Sequence, residues 1–141
     1  MTVKFYLESD LEEIISRIKP LANLLSGKKV LITGAQGFLG KYFLEIFYRL
    51  NNNILEKPLY IVALDNFITS VEEESYSNDY KNIHFFKHDV IEPFNHEVKY
   101  DYIIHAAGIA SPNHYKAYPI KTIEVTINGT KNLLNLAKNI K

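Results

Sequence analysis

A short apolar run, followed by a glycine-rich turn and an amphipathic helix, constrains this chain more than any other feature. Residues 29–33 read Lys-Val-Leu-Ile-Thr, and the segment that follows, Gly34-Ala-Gln-Gly-Phe-Leu-Gly40, places its glycines three residues apart. Continuous apolarity is typical of a strand that is covered on both faces, as in parallel sheets. We therefore predict a buried strand at 29–33, a tight turn at the glycines and a helix over 38–50, ended by the run of asparagines that follows.

The same alternation of apolar runs and helical patterns continues along the chain. Further strands are predicted at 59–64, 83–87 and 102–106, with a polar surface loop at 69–82. A last helix is predicted over 118–140, with an apolar side formed by Ile123, Ile127, Leu133, Leu134 and Leu136. Strands that alternate with helices indicate βαβ units. The predicted fold class is α/β, a Rossmann-type doubly wound parallel sheet with the strand order 3-2-1-4.

An extra N-terminal helix is predicted ahead of the first strand. Four apolar residues of the segment 9–25 recur at helical spacing on one face, namely Leu11, Ile14, Ile15 and Ile18. Pro20 should end or kink this helix. We interpret residues 1–27 as a helical extension that packs on a dinucleotide-binding domain at 28–141, and a partner-binding helix is the alternative.

Composition excludes several classes of function. The 141 residues carry sixteen basic and sixteen acidic side chains, which argues against a nucleic-acid binder driven by bulk charge. Cysteine is absent, so disulfide frameworks, zinc fingers and thiol nucleophiles are excluded, and a reducing, cytoplasmic compartment is expected. No apolar run approaches the roughly 18 residues that would cross a membrane. We expect no metal site, because His84 and His88 flank a predicted strand, where their spacing does not make a helical ligand pair.

The glycine segment has the spacing of a dinucleotide-binding turn. Gly34 permits the tight turn, Gly37 lets the backbone approach a pyrophosphate, and Gly40 allows the helix to pack closely on the sheet. The helix N-terminus then offers free N–H groups and a partial positive charge to the phosphates. No Gly-Lys-Ser/Thr follows, which argues against a nucleoside triphosphate loop. Glycines that serve only a tight strand-to-helix turn are the alternative.

Acidic residues follow the second and third predicted strands. Asp65 lies 25 residues after Gly40 and can accept both hydroxyls of an adenosine ribose. This favours NAD over NADP, because a 2′-phosphate would meet the negative charge and no arginine follows nearby. Asp89 can accept from the adenine amine, and Val90 can cover the ring. Small residues after the fourth strand would let the backbone run beside the middle of the cofactor, namely Ala106, Ala107 and Gly108.

Simpler interpretations of these acids remain open. Asp65 could be a solvated loop residue, and Asp89 could form a turn ahead of Pro93. An S-adenosylmethionine site also combines a glycine loop with acids after the second and third strands. The three-residue glycine spacing, followed at once by an apolar helix, favours a dinucleotide.

Taken together, these motifs resemble the extended short-chain dehydrogenase/reductases, and more narrowly the NAD-dependent sugar-nucleotide epimerases, dehydratases and decarboxylases. The resemblance covers roughly residues 28–140 and is carried by Thr33–Gly40, Leu64–Phe67, His88–Val90, His105–Gly108 and Asn128–Asn132. The stretches Ala110–Tyr115 and Pro119–Thr122 are most similar to UDP-glucuronate decarboxylases.

The resemblance implies a role for each of the candidate site residues. Pyrophosphate would bind at Gly34, Gly37, Phe38, Leu39 and Gly40. The adenosine ribose would bind at Asp65 and Asn66, the adenine at Asp89 and Val90, and the nicotinamide-side ribose beside Ala106, Ala107 and Gly108. Residues Ser111 to Tyr115 would lie in a loop near a sugar substrate.

One part of the family's pattern is missing from this sequence. The family uses Tyr-x-x-x-Lys and a Ser or Thr, with the tyrosine as acid or base on a sugar hydroxyl. None of the fourteen lysines has a tyrosine four positions earlier. We therefore expect the N-terminal, cofactor-binding part of a longer enzyme that acts on a nucleotide sugar, with no catalytic residue and little turnover of its own. A stand-alone NAD-binding module, a sensor or a scaffold, is the alternative.

The last helix indicates that the protein self-associates. In a chain of this length its apolar side would lack a covering helix, and an exposed apolar stripe favours self-association. The resemblance also implies dimers that pair through this helix. A homodimer through residues 118–140 is therefore expected.

Overall fold

The computed structural model describes residues 6–68 and 81–138, and these include a four-stranded parallel sheet. The strands are β1 (Lys29–Thr33), β2 (Tyr60–Asp65), β3 (Ile83–Lys87) and β4 (Tyr102–His105). Their order in the sheet is β3-β2-β1-β4, which confirms the predicted order and the α/β fold class. Most of the predicted polar loop at 69–82 lies outside the described residues.

The faces of the sheet explain why the strand segments are continuously apolar. Successive side chains of β1 enter two different cores, because neighbouring residues of a strand point to opposite faces. Val30 and Ile32 pack in one core with residues of the helices described below, whereas Leu31 packs in the other with Val62 and Leu133. Both faces are covered, so the central residues of β1 are all apolar, and the strand ends in Thr33, whose buried hydroxyl is hydrogen-bonded.

Helix α2 (Phe38–Asn53) follows β1 and runs one turn further than predicted. The asparagine run was expected to end the helix, but all three asparagines are helical. The side-chain amide of Asn51 donates to the carbonyl of Leu59 at 3.1 Å, and its Oδ1 accepts from the N–H of Leu59 at 2.7 Å. These two bonds tie the end of α2 to the residue before β2, so Asn51 stabilises the last turn.

The predicted N-terminal helix is confirmed as α1 (Glu8–Ile18), and Pro20 lies in the 3₁₀ helix (Lys19–Leu24) that follows it. The side chain of Leu11 is fully buried in the core beneath α1 and α2. Arg49 of α2 binds the Glu8 carboxylate through both terminal nitrogens, and the Tyr42 hydroxyl donates to Asp10 at 3.2 Å. Ile14, Ile15 and Ile18 pack against the same core, so the predicted apolar face of α1 and two polar contacts hold the helix in place.

The helix predicted over 118–140 is observed from Pro119 to Lys138 within the described residues, but it is not a regular α-helix. The segment consists of α4 (Pro119–Glu124), a π-helical turn (Val125–Gly129) and α5 (Thr130–Lys138), and it is preceded by a short helix α3 (Pro112–Ala117). Helix α3 was not predicted, and it places residues 112–115 on a helix where the family resemblance implied a loop. Residues 139 and 140 lie outside the described part of the chain.

The side chains that face the sheet along this segment differ from most of those predicted. The segment includes a π-helical turn, whose i→i+5 hydrogen bonds make it wider than a turn of α-helix. Val125, Gly129 and Leu133 are the residues that point inward and are buried. Most of the predicted apolar side is instead exposed, with Ile123 at 55%, Ile127 at 61% and Leu134 at 65% of their full area, while Leu136 packs beside Leu133.

The described part of the chain has no helix that could cross a membrane. Every helix in residues 6–68 and 81–138 is either too short or not apolar enough to cross a membrane.

The packing of α1 leads to a test by truncation of its buried side chain. Leu11→Ala is expected to lower the free energy of unfolding by about 2–5 kcal/mol, because it leaves a cavity beneath the helix. Leu7→Ala is the matched control, since Leu7 is 65% exposed and its loss should cost less than about 0.5 kcal/mol. Urea unfolding followed by circular dichroism measures both values. Equally small losses would show that α1 is not packed on the sheet in solution.

Candidate functional site

The carboxyl ends of the four strands open onto one crevice. It is lined by the turns that follow the strands and by one residue of the π-helical turn: Gly34, Gly37, Leu64, Asp65, Asn66, Ile68, His88, Val90, Ala106, Ala107, Gly108, Ile109 and Val125. In open parallel sheets, ligands bind outside the carboxyl ends of the strands, where the strand order reverses. Here that position lies between β1 and β4.

The glycine turn is packed against backbone on two sides. Gly34 has a φ of +68°, and a Cβ there would lie 2.6 Å from backbone atoms of Ala106 and Ala107. A Cβ on Gly40 would lie 2.2 Å from the carbonyl oxygen of Gly34. No side chain fits at either position, so the turn, the start of α2 and the loop after β4 lie in direct backbone contact.

Helix α2 begins at Phe38, immediately after Gly37, and within the described residues no side chain caps its N-terminus. The first N–H groups of a helix have no acceptor inside the helix, and they carry its partial positive charge. The side chains of Phe38 and Leu39 are exposed to solvent. What these two residues can offer a ligand at the turn is therefore their backbone N–H groups.

Asp65 ends β2 and joins two turns through its carboxylate. Oδ2 accepts from the N–H of Gln36 at 2.8 Å, and Oδ1 accepts from the N–H of Phe67 at 2.8 Å. The neighbouring Asn66 accepts from the N–H of Ile68 through Oδ1 at 3.2 Å. The carboxylate is thus held at the edge of the glycine turn, with both oxygens oriented by backbone donors.

Asp89 lies beside the crevice and forms an ion pair across to helix α4. Its Oδ2 is 2.9 Å from Nζ of Lys121, and the side chain of Asn66 also donates to it. Burial raises the pKa of Asp89, but hydrogen bonds from Lys121, Asn66 and the N–H of Ile91 outweigh burial and leave the pKa below its ordinary value. The group is therefore an ionised carboxylate at neutral pH.

A series of buried hydrogen bonds lies behind one wall of the crevice. The hydroxyl of Thr33, which is fully buried, lies 2.8 Å from Nδ1 of His105 and accepts from the N–H of Ala107 at 3.4 Å. His105 also hydrogen-bonds the backbone of Val125. Burial lowers the pKa of His105, and the bond to Val125 only partly offsets it. The neutral imidazole therefore connects two residues that line the crevice, Ala107 and Val125.

The structure brings most of the predicted site residues together. The predicted residues that line the crevice are Gly34, Gly37, Asp65, Asn66, Val90, Ala106, Ala107 and Gly108. The remaining four, Phe38, Leu39, Gly40 and Asp89, do not line the crevice, although Phe38 and Asp89 directly neighbour lining residues in the chain. Whether any of the twelve binds a cofactor remains a prediction.

Sequence reasoning missed five residues that line the crevice: Leu64, Ile68, His88, Ile109 and Val125. Position in the sequence could have indicated three of them, because Leu64 and His88 directly precede predicted site residues and Ile109 directly follows one. The imidazole of His88 is fixed by a 3.0 Å hydrogen bond between Nε2 and the carbonyl of Glu92. Val125 gave no signal, since it is not adjacent in the sequence to any predicted site residue.

This fold and this crevice define the class of Rossmann-type α/β proteins. Residues 30–141 match the model of the NAD dependent epimerase/dehydratase family. The chain therefore belongs to that family.

Similar proteins are known from several organisms. The chain is 36% identical over 124 residues to UDP-glucuronic acid decarboxylase 2 of Arabidopsis thaliana, which covers 86% of this chain and 25% of the relative. It is 33% identical over 135 residues to UDP-glucuronic acid decarboxylase 1 of Xenopus tropicalis, with coverage of 93% and 30%. The chain thus spans about a quarter to a third of the length of these curated relatives.

Solved structures share the fold. The UDP-N-acetylglucosamine 4-epimerase of Methanobrevibacter ruminantium M1, solved in complex with UDP-N-acetylmuramic acid, superposes with a TM-score of 0.59 at 23% identity. The superposition covers 81% of this chain and 35% of the epimerase chain.

The close contact at Gly40 gives a test of the glycine turn. Gly40→Ala is expected to lower the free energy of unfolding by about 1–3 kcal/mol, because the methyl group would overlap the carbonyl of Gly34. The intrinsic preference of helices for alanine, about 1 kcal/mol, acts in the opposite direction. Gly108→Ala is the control, since a Cβ there meets nothing within 4 Å. Urea unfolding of both variants is the measurement, and a stabilised Gly40→Ala variant would contradict the contact.

The buried imidazole of His105 predicts a pH dependence of stability. Its lowered pKa means that the unfolded chain binds the proton more readily than the folded chain, so the free energy of unfolding falls as pH drops below about 6.5. His105→Gln removes this titration. The stability difference between wild type and variant should be constant above about pH 7 and shrink toward about pH 5.5. A difference that stays constant over the whole range would contradict the buried neutral state.

Proposed function

We propose that this chain is the NAD-binding portion of a sugar-nucleotide epimerase, dehydratase or decarboxylase. The observation that carries the proposal is the meeting of three features at one crevice: the glycine turn, the uncapped start of α2 and the carboxylate of Asp65. Membership of the NAD dependent epimerase/dehydratase family supports it. The UDP-glucuronic acid decarboxylases among the relatives favour a UDP-sugar as the substrate of the complete enzyme.

The residues present fit a dinucleotide. Glycines at 34 and 37 leave backbone, not side chains, at the surface of the turn, and the start of α2 provides N–H groups and positive charge for a pyrophosphate. Asp65 and Asn66 would hold the adenosine ribose, and Asp89 and Val90 the adenine. The small residues from Ala106 to Gly108 would lie beside the nicotinamide-side ribose. When bound, NAD supplies the acceptor for a hydride.

The chain's own residues would bind and orient the coenzyme. The sequence contains no Tyr-x-x-x-Lys pattern, so it does not provide the acid–base pair that the family uses on the sugar hydroxyl. We therefore infer little or no turnover by the 141 residues alone. The same observation favours a second candidate function, an NAD-binding module that serves as a sensor or a scaffold without catalysis.

We also propose the domain division and an assembly. Residues 28–141 form the cofactor-binding domain, and residues 1–27 form an extension that packs on α2 through Leu11. Four exposed apolar side chains follow one another along α4, the π-helical turn and α5, namely Ile120, Ile123, Ile127 and Leu134. Exposed apolar stripes of this kind mark interaction sites, and a homodimer through residues 118–140 would cover this one.

The role of Asp65 is tested by comparing two coenzymes. Asp65→Ala is expected to weaken NAD⁺ binding by about 1.5–3 kcal/mol, the value of a charge-assisted hydrogen bond. NADP⁺ should lose much less, because its 2′-phosphate is repelled by the wild-type carboxylate. Isothermal titration calorimetry measures the affinity for both coenzymes. The ratio of the affinity for NAD⁺ to that for NADP⁺ should decrease in the variant.

The comparison separates a direct contact from a distorted turn. Asp65 also orients Gln36 and Phe67, and a distorted turn would weaken the binding of both coenzymes equally. Asp101→Ala is the control, because Asp101 precedes β4 at the opposite end of the sheet and pairs with Lys28. Unchanged NAD⁺ affinity in Asp65→Ala would remove Asp65 from the site.

A further inference from the structure

We propose that Lys121 and Asp89 form a latch at the adenine end of the crevice, an ion pair that competes with the base for the carboxylate. The inference rests on the proposed function, since it concerns the binding of the same coenzyme. It adds a residue, Lys121, whose charge would oppose binding.

The position of the ion pair follows from its neighbours in the chain. Asp89 immediately precedes Val90, and Lys121 lies one helical turn before Val125. Val90 and Val125 both line the crevice. The 2.9 Å contact between Nζ of Lys121 and Oδ2 of Asp89 therefore connects the two segments that carry these walls, the loop after β3 and helix α4.

The carboxylate of Asp89 already has several donors. The N–H of Ile91 donates to Oδ1 at 3.3 Å, Asn66 donates from its side chain, and Lys121 donates to Oδ2. An adenine amine would be a further donor to an acceptor with few positions left. A carboxylate has about four such positions, so an adenine amine competes with the present donors, and the charged one opposes it most.

Lys121 is the donor that can leave at the lowest cost. The N–H of Ile91 is part of the backbone, and Asn66 is held by its own bond to the N–H of Ile68. The Lys121 side chain is 32% exposed on a flexible stem, so its ammonium can return to water when the pair opens. The ion pair is the strongest competitor for the carboxylate because it is charged, and it is the most easily replaced by solvent.

The experiment removes the charge of Lys121 and compares ligands with and without adenine. Lys121→Met and Lys121→Gln are titrated with NAD⁺, ADP-ribose and nicotinamide mononucleotide by calorimetry, using the full 141-residue chain. The matched control is Lys116→Met, which removes the same charge from an exposed position on α3. Lys121→Arg retains a cation that can pair with Asp89.

The latch predicts a gain of affinity where general electrostatics predicts a loss. Removing a lysine weakens the attraction of any anionic ligand, and Lys116→Met measures that effect. Against this control, both neutral Lys121 variants should bind NAD⁺ and ADP-ribose about two- to fivefold more tightly, the range expected from a partly exposed ion pair. Nicotinamide mononucleotide, which has no adenine, should show no gain, and Lys121→Arg should bind like wild type.

Other outcomes overturn the proposal in distinguishable ways. NAD⁺ affinity in the neutral variants that equals or falls below that of Lys116→Met would show that Lys121 does not oppose the base, and the latch fails while the proposed function stands. An equal gain for nicotinamide mononucleotide would also overturn it. If wild type and every variant fail to bind NAD⁺, the proposed function fails and the latch with it. Thermal unfolding of each variant identifies any loss of fold.

Discussion

Close backbone contact at the glycine turn fixes the distances between the strands, the start of α2 and the loop after β4, and the rest of the structure depends on these distances. Gly34 lies against the backbone of Ala106 and Ala107, and Gly40 lies against the carbonyl of Gly34. These contacts bring the start of α2 and the loop after β4 to the same place, at the carboxyl end of β1. The crevice exists because three backbone segments meet where side chains would have kept them apart.

Polar groups then fix the walls of the crevice. The Asp65 carboxylate joins the glycine turn to the end of β2, Asn66 reaches Asp89, and Asp89 reaches Lys121. Behind the opposite wall, the hydroxyl of Thr33 and the imidazole of His105 connect β1, β4 and the π-helical turn. Several of these hydrogen bonds cross from one segment to the next, so they link the turns that follow the strands.

The parts of the structure that depend on local pattern could be predicted from the sequence. Residues such as Leu31 and Ile32 must both be apolar because each faces a different core, and this made the strands recognisable. The glycine spacing, the motifs after β2 and β3 and the small residues after β4 identified eight of the thirteen residues that line the crevice. Residues that reach the crevice only through tertiary packing, such as Ile68 and Val125, carried no such signal.

The last helix shows why periodicity failed there. The sequence prediction placed Ile127 and Leu134 on the apolar side together with Leu133, but the buried residues are Val125, Gly129 and Leu133. The cause lies outside the helix. A Cβ on Gly129 would lie 2.8 Å from Val90 and 3.5 Å from His105, so the loop after β3 and the end of β4 determine how closely this segment approaches. The periodicity of apolar residues in the helix does not show which neighbouring segments the helix contacts.

The attachment of α1 affects where this domain begins. The segment that matches the family starts at residue 30, yet Leu11 is completely enclosed by the same core as Val30 and Ile32, and Arg49 and Tyr42 hold the helix at Glu8 and Asp10. A protein that begins at residue 30 would keep every glycine and acid of the crevice. It would, however, expose the apolar surface that Leu11 covers. The hydrophobic core of this domain therefore includes a helix that lies outside the segment that defines the family.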